Sequence, residues 1–519
     1  MQKAYHFALP GQSGSEALGT ALRHAGFAFR RHPISLLQRV YYDTFDWRLY
    51  AAGLLLLSEE GGEGLRLRLR ERNSGLDVVV IDVVDVPRFA ENLPQGVMRK
   101  RLAPLIEERR LLPLVSLENR GDEFRVLDGQ SKIVMRAAIE RYRVDGGDGR
   151  VRLRSRIAVV PVRGFAEPLA KVLPALEHDL QLKQIDGGVL EEALDAIGRR
   201  PLDYRARPDL RLKRGEPIGE AARRVFVHLL DVVEANEDGV RQETDAGFLH
   251  DLRVAVRRTR SLLSELKRIL SAPHFGHYRA EFAWLSRLTG PVRDLDVHLA
   301  AFHRYERWLG GSGPELESLR AALRKRRTGE RRAMLEGLAS PQYRSLKKGW
   351  RSVLDEADER WRSGDAGVPA DETVRELVQR RHERVLARGR KLDRDSEDED
   401  FHSLRKQVKK LRYLIELFPG AMHAGEARAM LDDLKSMQKL LGRHHDFSVK
   451  LSVMRELKKS FREQGRGDVA AAAKSLCERL QDGKREAEQE FIRLFDRMAA
   501  DGVGKKARRR AGKIRESSQ

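Results

Sequence analysis

The chain has 519 residues, with 99 Lys and Arg against 78 Asp and Glu, a formal net charge of +21 and a pI near 10.1. That length exceeds one ordinary core, so two or three domains are expected. The charge favours polyanions (nucleic acid, an anionic membrane surface or phosphate polymers) and is silent on fold.

The N-terminal MQKAYHFALPGQSGSE has no long apolar run, so no signal peptide is expected, and no stretch reaches the roughly 18 apolar residues of a membrane span. The single cysteine, Cys477, rules out a disulfide framework and reads as an inert thiol in a reducing compartment. A soluble cytoplasmic protein with no membrane partner is the expectation.

Up to about residue 200 the sequence alternates with the period of strands. In 65-LRLRLRE-71, Leu65, Leu67 and Leu69 share one face and Arg66, Arg68 and Arg70 the other. Further strand-like runs cover 78–86, 132–144 and 151–162, the last two joined by the hairpin turn 145-DGGDGR-150. Segments 13–26 and 187–198 have helical texture. Residues 1–200 therefore predict an α+β domain with an antiparallel sheet.

The stretch 199-RRPLDYRARPDLRLKRGEP-217, with three prolines, predicts a linker centred on 201–214. From 215 to about 500 the pattern is amphipathic helix broken by Gly and Pro, an all-α domain. The end, 501–519, has no apolar period and is expected to be a disordered basic tail.

The helical region contains a repeat. The stretch 250-HDLRVAVRRTRSLLSEL-266 matches 402-HSLRKQVKKLRYLIELF-418, an offset of 402 − 250 = 152. Downstream, 288-LTGPVRDLDV-297 matches 440-LLGRHHDFSV-449 at the same offset. One spacing kept across two separated motifs indicates a duplicated helical unit.

At about 100° per residue, His250, Arg253, Arg257 and Arg260 form one stripe in the first copy. His402, Arg405, Lys409 and Arg412 form the corresponding stripe in the second. Leu252, Val256 and Leu263 lie opposite in the first copy, as Leu404, Val408 and Ile415 do in the second. An ordinary solvated face mixes signs, because opposite charges at i and i+4 stabilise and like charges repel. Neither stripe contains an acid, so both accept self-repulsion and point to an external anion.

The pair H-x-L-R-x-x-V-(+)-(+)-x-R and L-x-G-x-x-x-D-x-x-V resembles the CHAD family, the conserved-histidine α-helical domain, from about Pro217 to Ala500. That resemblance implies two pseudo-symmetric helical bundles whose basic residues bind inorganic polyphosphate. It carries over to the two stripes, with Arg258, Lys406 and Lys410 flanking them.

The first domain looks like a CYTH, or triphosphate-tunnel, domain, through 41-YYDTFDWRLYAAGLLL-56 and 65-LRLRLRE-71. That likeness implies a β-barrel-like tunnel. It departs where the family's E-x-E-x-K falls on Gln2, Ala4 and His6, and where its E-x-E-x-E strand falls on Arg156, Ala158 and Val160. Without those carboxylates no Mg²⁺ and no tunnel hydrolysis are expected, and the domain reads as degenerate. Arg66, Arg68 and Glu71 face either a phosphate or solvent.

The triplet 444-HHD-446 invites a metal, but adjacent helical residues point about 100° apart. Its twin puts Arg293 where His445 stands, which suits phosphate contact by both rather than ligation. The run 320–332, with seven basic residues and one acid, reads as a solvated helix pair. His274, His277, His298, His303 and His423 share no spacing and read as structural or surface residues. No Walker-type loop or nucleophile elbow is present.

These readings predict a non-enzymatic polyphosphate-binding protein with no cofactor and no metal, possible residence at polyphosphate granules, and a granule-associated partner for the first domain. The rivals are an inorganic triphosphatase and a nucleic-acid binder, the latter short of stacking aromatics beyond Tyr413.

Overall fold

The computed structural model describes residues 3–516 except 11–13, 63, 147–148, 163, 166, 186–187, 209, 270–272 and 357–360. Side chains of 35, 273–274 and 499–516 are outside the description. The chain divides into Met1–Arg205 and Ala206–Gln519, each described here by itself.

In the first unit one antiparallel sheet holds nine strands. They are β1 (Tyr5–Ala8), β2 (Ala28–Asp43), β3 (Leu54–Gly61), β4 (Gly64–Glu71), β5 (Asp77–Val83), β6 (Leu112–Leu127), β7 (Ile133–Gly146), β8 (Gly149–Arg152) and β9 (Arg156–Pro161). The spatial order is β1-β9-β7-β6-β2-β3-β4-β5, with β8 pairing β7 beyond the path. The sheet curls into a half-barrel, and a hydrogen bond of 2.6 Å from Ala4 N to Ser74 O joins its first strand to the turn after β4. Curling needs close approach, and at Gly121 a Cβ would collide with the Ile139 carbonyl of the neighbouring strand.

The alternation in β4 decides its faces. Leu67 and Leu69 are fully buried, packed with Leu102 and Ile106 of helix α3 (Val97–Ile106), while the intervening arginines face the concave side. Burying each leucine contributes about 2 kcal/mol, so a one-residue slip of register is strongly disfavoured. The helices expected at 13–26 and 187–198 are α1 (Ser15–His24) and α5 (Val189–Ala196). Between them in sequence are α2 (Arg48–Ala51), α3 and α4 (Glu167–Pro174).

The second unit is helical. Its first repeat comprises α6 (Ile218–Arg241), α7 (Ala246–Glu265), α8 (Pro273–Leu288) and α9 (Gly290–Ala300). Then follow α10 (Phe302–Trp308), α11 (Pro314–Ala339) and α12 (Pro341–Asp355). The second repeat comprises α13 (Ala370–Gly389), α14 (Asp398–Leu417) and α15 (Ala424–Glu463), before α16 (Gly467–Glu516). The tail expected to be disordered at 501–519 has its side chains outside the described residues.

The duplication is kept at the level of helix starts: 370 − 218 = 152 and 398 − 246 = 152. It breaks at one informative place. Pro291 separates α8 from α9, because proline removes a helical donor and crowds the preceding turn. Its twin is Arg443, and there α15 runs unbroken through 40 residues.

Candidate functional site

Two helices carry the basic stripes. The N-terminus of α7 is capped by Asp245, whose side chain accepts from Gly247 N at 2.7 Å. The apolar faces are buried as their period requires: Leu252, Val256, Leu404, Val408 and Leu411 are all 0% exposed. The two helices pack on one another, so the stripes meet rather than lying on opposite sides of the unit.

Arg257 of α7 approaches Arg405 and Lys409 of α14 closely enough to depress both of their pKa values, after burial itself. Together these causes bring Lys409 down to about 6. Arg257, Arg405 and Lys409 are half-buried, and none has a carboxylate within ion-pair distance among the described residues. The Nε atoms of Arg257 and Arg405 are also buried without a hydrogen-bond partner. Two crowded guanidiniums with unsatisfied donors, beside a lysine whose ammonium they disfavour, form a positive surface without compensating carboxylates in ion-pair reach among the described residues.

The second motif supplies the other wall. The rings of His402 and His445 stack with centroids 5.0 Å apart, tying α14 to α15. Burial, then Arg405 and His402, drive His445 down to about 3, and burial with Lys406 lowers His402. Arg253 donates to Ser286 O at 3.1 Å and Thr289 Oγ1 at 3.2 Å, at the junction of α8 and α9, and burial followed by Arg257 lowers it to about 10. Gly290 leaves room for that guanidinium, which comes within 3.4 Å of where a Cβ would stand.

Asp294 and its repeat twin Asp446 lie among these cations. Burial lifts Asp294, Arg253 opposes the rise, and Asp446 adds to it. Burial also lifts Asp446, against the pull of Arg405 and Lys450. Twins face twins across the groove: Arg257 near Lys409, and Asp294 near Asp446. His298 similarly senses Lys450, where 450 − 298 = 152. The basic stripes thus meet in one region, with twin residues of the two repeats beside each other.

Several residues expected on the stripes have other duties. Arg258 is 3% exposed, donates to Glu416 at 3.0 Å and Ala206 O at 3.0 Å, and lies over Tyr413. One step round the helix from Arg257 turns it into the interior. Arg412 is held by Glu416 at 2.7 Å and Gln438 at 2.6 Å, Lys410 by Glu265 at 3.3 Å and Lys406 by Glu399 at 3.3 Å. The absence of acids within the stripes therefore does not leave every cation unpartnered, because Glu265, Glu399 and Glu416, all off the stripes, reach them. His250 is exposed at the groove's start, and Arg260 is lowered by burial and by Arg287. Arg293 adds positive field at both aspartates. Lys450, one residue past the repeated motif, belongs to the groove and was not anticipated.

The run 320–332 is not a helix pair but one helix, α11. Its cations are paired, Arg327 with Asp296 and Glu243 and Arg326 with Glu456.

His444 of the HHD triplet turns away from His445. It is 3% exposed, stacked on Phe401, and its Nε2 lies 3.1 Å from Glu488 and 3.6 Å from Asp398. These three residues could surround a cation, but the Lys484 ammonium already pairs with Asp398 and lies 3.6 Å from Glu488. The protein's own lysine supplies the charge a metal would bring.

The first unit holds a cavity of about 910 Å³ on the concave side of its sheet. Arg66, Arg68, Arg70 and Arg72 line it, which resolves the two readings of that strand in favour of the cavity; Glu71 is instead directed to Ser74. Ala4, His6, Ala158 and Val160 line it where the CYTH resemblance calls for a lysine and carboxylates. Of the carboxylates that remain, Glu191 accepts from Tyr50 and keeps one buried oxygen without a hydrogen-bond partner among the described residues, while Glu59, Glu140 and Asp77 are engaged by arginines. Glu59 accepts from Arg39 at 3.0 Å and Arg68 at 2.5 Å, and despite burial these two arginines hold it at about 2. Glu140 lies 3.7 Å from Arg39, and Asp77 is bound by Arg68 and Arg70. At Glu59, Glu140 and Asp77 a Mg²⁺ ion would have to compete with arginines already in place.

Residues 224–455 match the CHAD domain family model. An uncharacterized protein of Mycobacterium tuberculosis is 26% identical over 295 residues, covering 52% of this chain and 55% of that protein in each of two strains. The chain therefore spans about half the length of the curated relatives it matches. Among solved structures, the CHAD domain from the plant Ricinus communis is 27% identical with a TM-score of 0.47, covering 55% of this chain and 96% of that one. PptA from Streptomyces chartreusis is 17% identical with a TM-score of 0.43, covering 54% and 100%. The Hippeastrum protein HpAC1, for which a dominant triphosphatase activity is described, is 15% identical with a TM-score of 0.27, covering 40% and 100%.

Proposed function

We propose that this chain, whose helical unit carries a CHAD domain, binds inorganic polyphosphate without hydrolysing it, in the groove between α7 and α14. The observation that carries the proposal is the gathering of Arg257, Arg405 and Lys409 from two repeats with no ion-pair partner among the described residues. Each guanidinium offers a planar fork to phosphate oxygens, and the lysine offers a compact charge. A flexible chain of phosphates gains affinity by releasing condensed counterions, so binding weakens as salt rises. Protons taken up by Lys409, His402 and His445 make it weaken also as pH rises.

Titration of the whole chain with long-chain polyphosphate at several salt concentrations tests this. A steep fall of affinity with salt, abolished when Arg257, Arg405 and Lys409 are made alanine together, is expected. An affinity unchanged in that triple variant overturns the assignment. Duplex DNA at the same salt serves as competitor: displacement of polyphosphate by less than an equivalent of DNA phosphate would favour nucleic acid instead.

In this reading the first unit is a non-catalytic partner-binding domain, since Glu59, Glu140 and Asp77 of its cavity are paired with arginines. Phosphate release from tripolyphosphate with Mg²⁺ or Mn²⁺ would overturn that part. The cellular counterpart is a cytoplasmic protein located at polyphosphate granules, which a fluorescent fusion expressed with and without polyphosphate synthesis would reveal.

A further inference from the structure

The polyphosphate groove contains a feature that a plain anion site lacks: two carboxylates at its centre. Asp294 sits on α9 and Asp446 on α15, related by 446 − 294 = 152, and each faces cations mainly of its own repeat, with Arg293 reaching both. From α7 come Arg253 and Arg257, from α9 Arg293, from α14 Arg405 and Lys409, and from α15 Lys450. Neither aspartate comes within ion-pair distance of any of them among the described residues. Carboxylates placed to stabilise a fold normally close on an arginine, as Glu416 and Glu265 do nearby. Asp294 and Asp446 stand back, with open sides toward solvent.

We propose that Asp294 and Asp446 act as a built-in competitor for the bound phosphates, setting a minimum ligand charge below which the groove stays empty. This rests on the polyphosphate reading and specifies how that site selects among phosphates. In the free groove the pair screens the crowded cations. An incoming anion must outweigh two carboxylates or drive protons onto them. Orthophosphate makes too few contacts to do so. A longer chain, reaching further cations than those around the two aspartates, collects enough contacts to prevail. Burial and mutual repulsion already raise Asp294, so protonation beside bound phosphate is within reach and binding tightens further in mildly acidic solution.

The test compares the full chain with Asp294→Asn, Asp446→Asn and the double variant, using orthophosphate, tripolyphosphate and long-chain polyphosphate as probes. Calorimetric titration gives affinities at neutral and mildly acidic pH, and thermal unfolding checks that each variant is folded. The double variant is expected to bind tripolyphosphate about tenfold more tightly, as removal of nearby like charge requires, to acquire measurable affinity for orthophosphate, and to lose part of the acid-dependent tightening. Each single variant should show part of the gain, so the conclusion survives if the double variant does not fold. Unchanged or weaker tripolyphosphate binding by folded variants overturns the competitor role while leaving polyphosphate binding intact. A wild-type chain that binds no phosphate polymer removes both readings.

Discussion

His402 and His445, one from each motif of the second repeat, stack with ring centroids 5.0 Å apart beneath Arg405 and Lys409. An imidazole pair beside cations is stable only while neutral. Burial, followed by Arg405, depresses His445 to about 3 against 6.5 in the unfolded chain. Between those values the unfolded state binds the extra proton, so stability falls as pH falls through the window from 6.5 toward 3. The free protein should lose at most about 1.4 kcal/mol for each pH unit in that window through His445. His445→Ala should flatten the loss, and saturating polyphosphate should reverse it. Thermal unfolding across pH values, with and without ligand, checks this.

The triple replacement of Arg257, Arg405 and Lys409 by alanine should weaken binding and stabilise the free fold at once. Arg257 and Arg405 crowd each other without ion-pair partners among the described residues and hold Lys409 largely neutral at pH 7, so removing the three relieves repulsion by about 1 kcal/mol at low salt. The slope of log affinity against log salt should fall by about 2, since roughly 0.7 counterions are released per contact with a single-stranded polyanion. Denaturant unfolding and salt-dependent titration on the same preparations test both halves. Loss of stability in the variant would mean that these cations hold the fold.

Arg258→Ala should behave in the opposite way. It strands Glu416, which keeps only Arg412, and leaves a gap in the core beside Tyr413. A loss of about 3 kcal/mol is expected, with polyphosphate affinity of the folded fraction close to wild type. A large drop in affinity without loss of stability would return Arg258 to the groove.

Much of this site was legible in the sequence because duplication wrote it twice. The 152-residue offset located both stripes, and the helical period assigned their buried faces correctly. What escaped was one residue past the second motif and the packing of one copy on the other. Lys450 stands one position past the second motif, and its twin His298 is a buried neutral imidazole, so comparison of the copies hid it. Glu265 and Glu416 neutralise stripe residues across the repeat interface, a relation no single-helix projection contains. In the first unit, 16-residue β2 gave no clear alternation because its pairing shifts between Ile34 and Leu37, which reverses the faces midway.

Lys484→Ala should create what the wild type lacks. Without its ammonium, Asp398, His444 and Glu488 have ligand atoms within 4.8 Å of one another and no internal cation. The variant should lose about 2 kcal/mol and recover part of it on adding Zn²⁺, while the wild type shows no zinc-dependent shift. Thermal shift with and without zinc reads the difference, and equal responses from both proteins would refute it.

The reciprocal placement of Glu265 and Glu416 bears on how the helical unit comes apart. Glu265 of the first copy is 3% exposed and accepts from Arg381 and Lys410 of the second, while Glu416 of the second accepts from Arg258 of the first. Their twins are Leu417 and Ser264, so this exchange arose after the copies diverged. Cutting the chain between the repeats would leave an orphaned charge in the interior of both halves. These crossed ion pairs couple the stability of the two copies, so separating them costs each a buried charge without its partner.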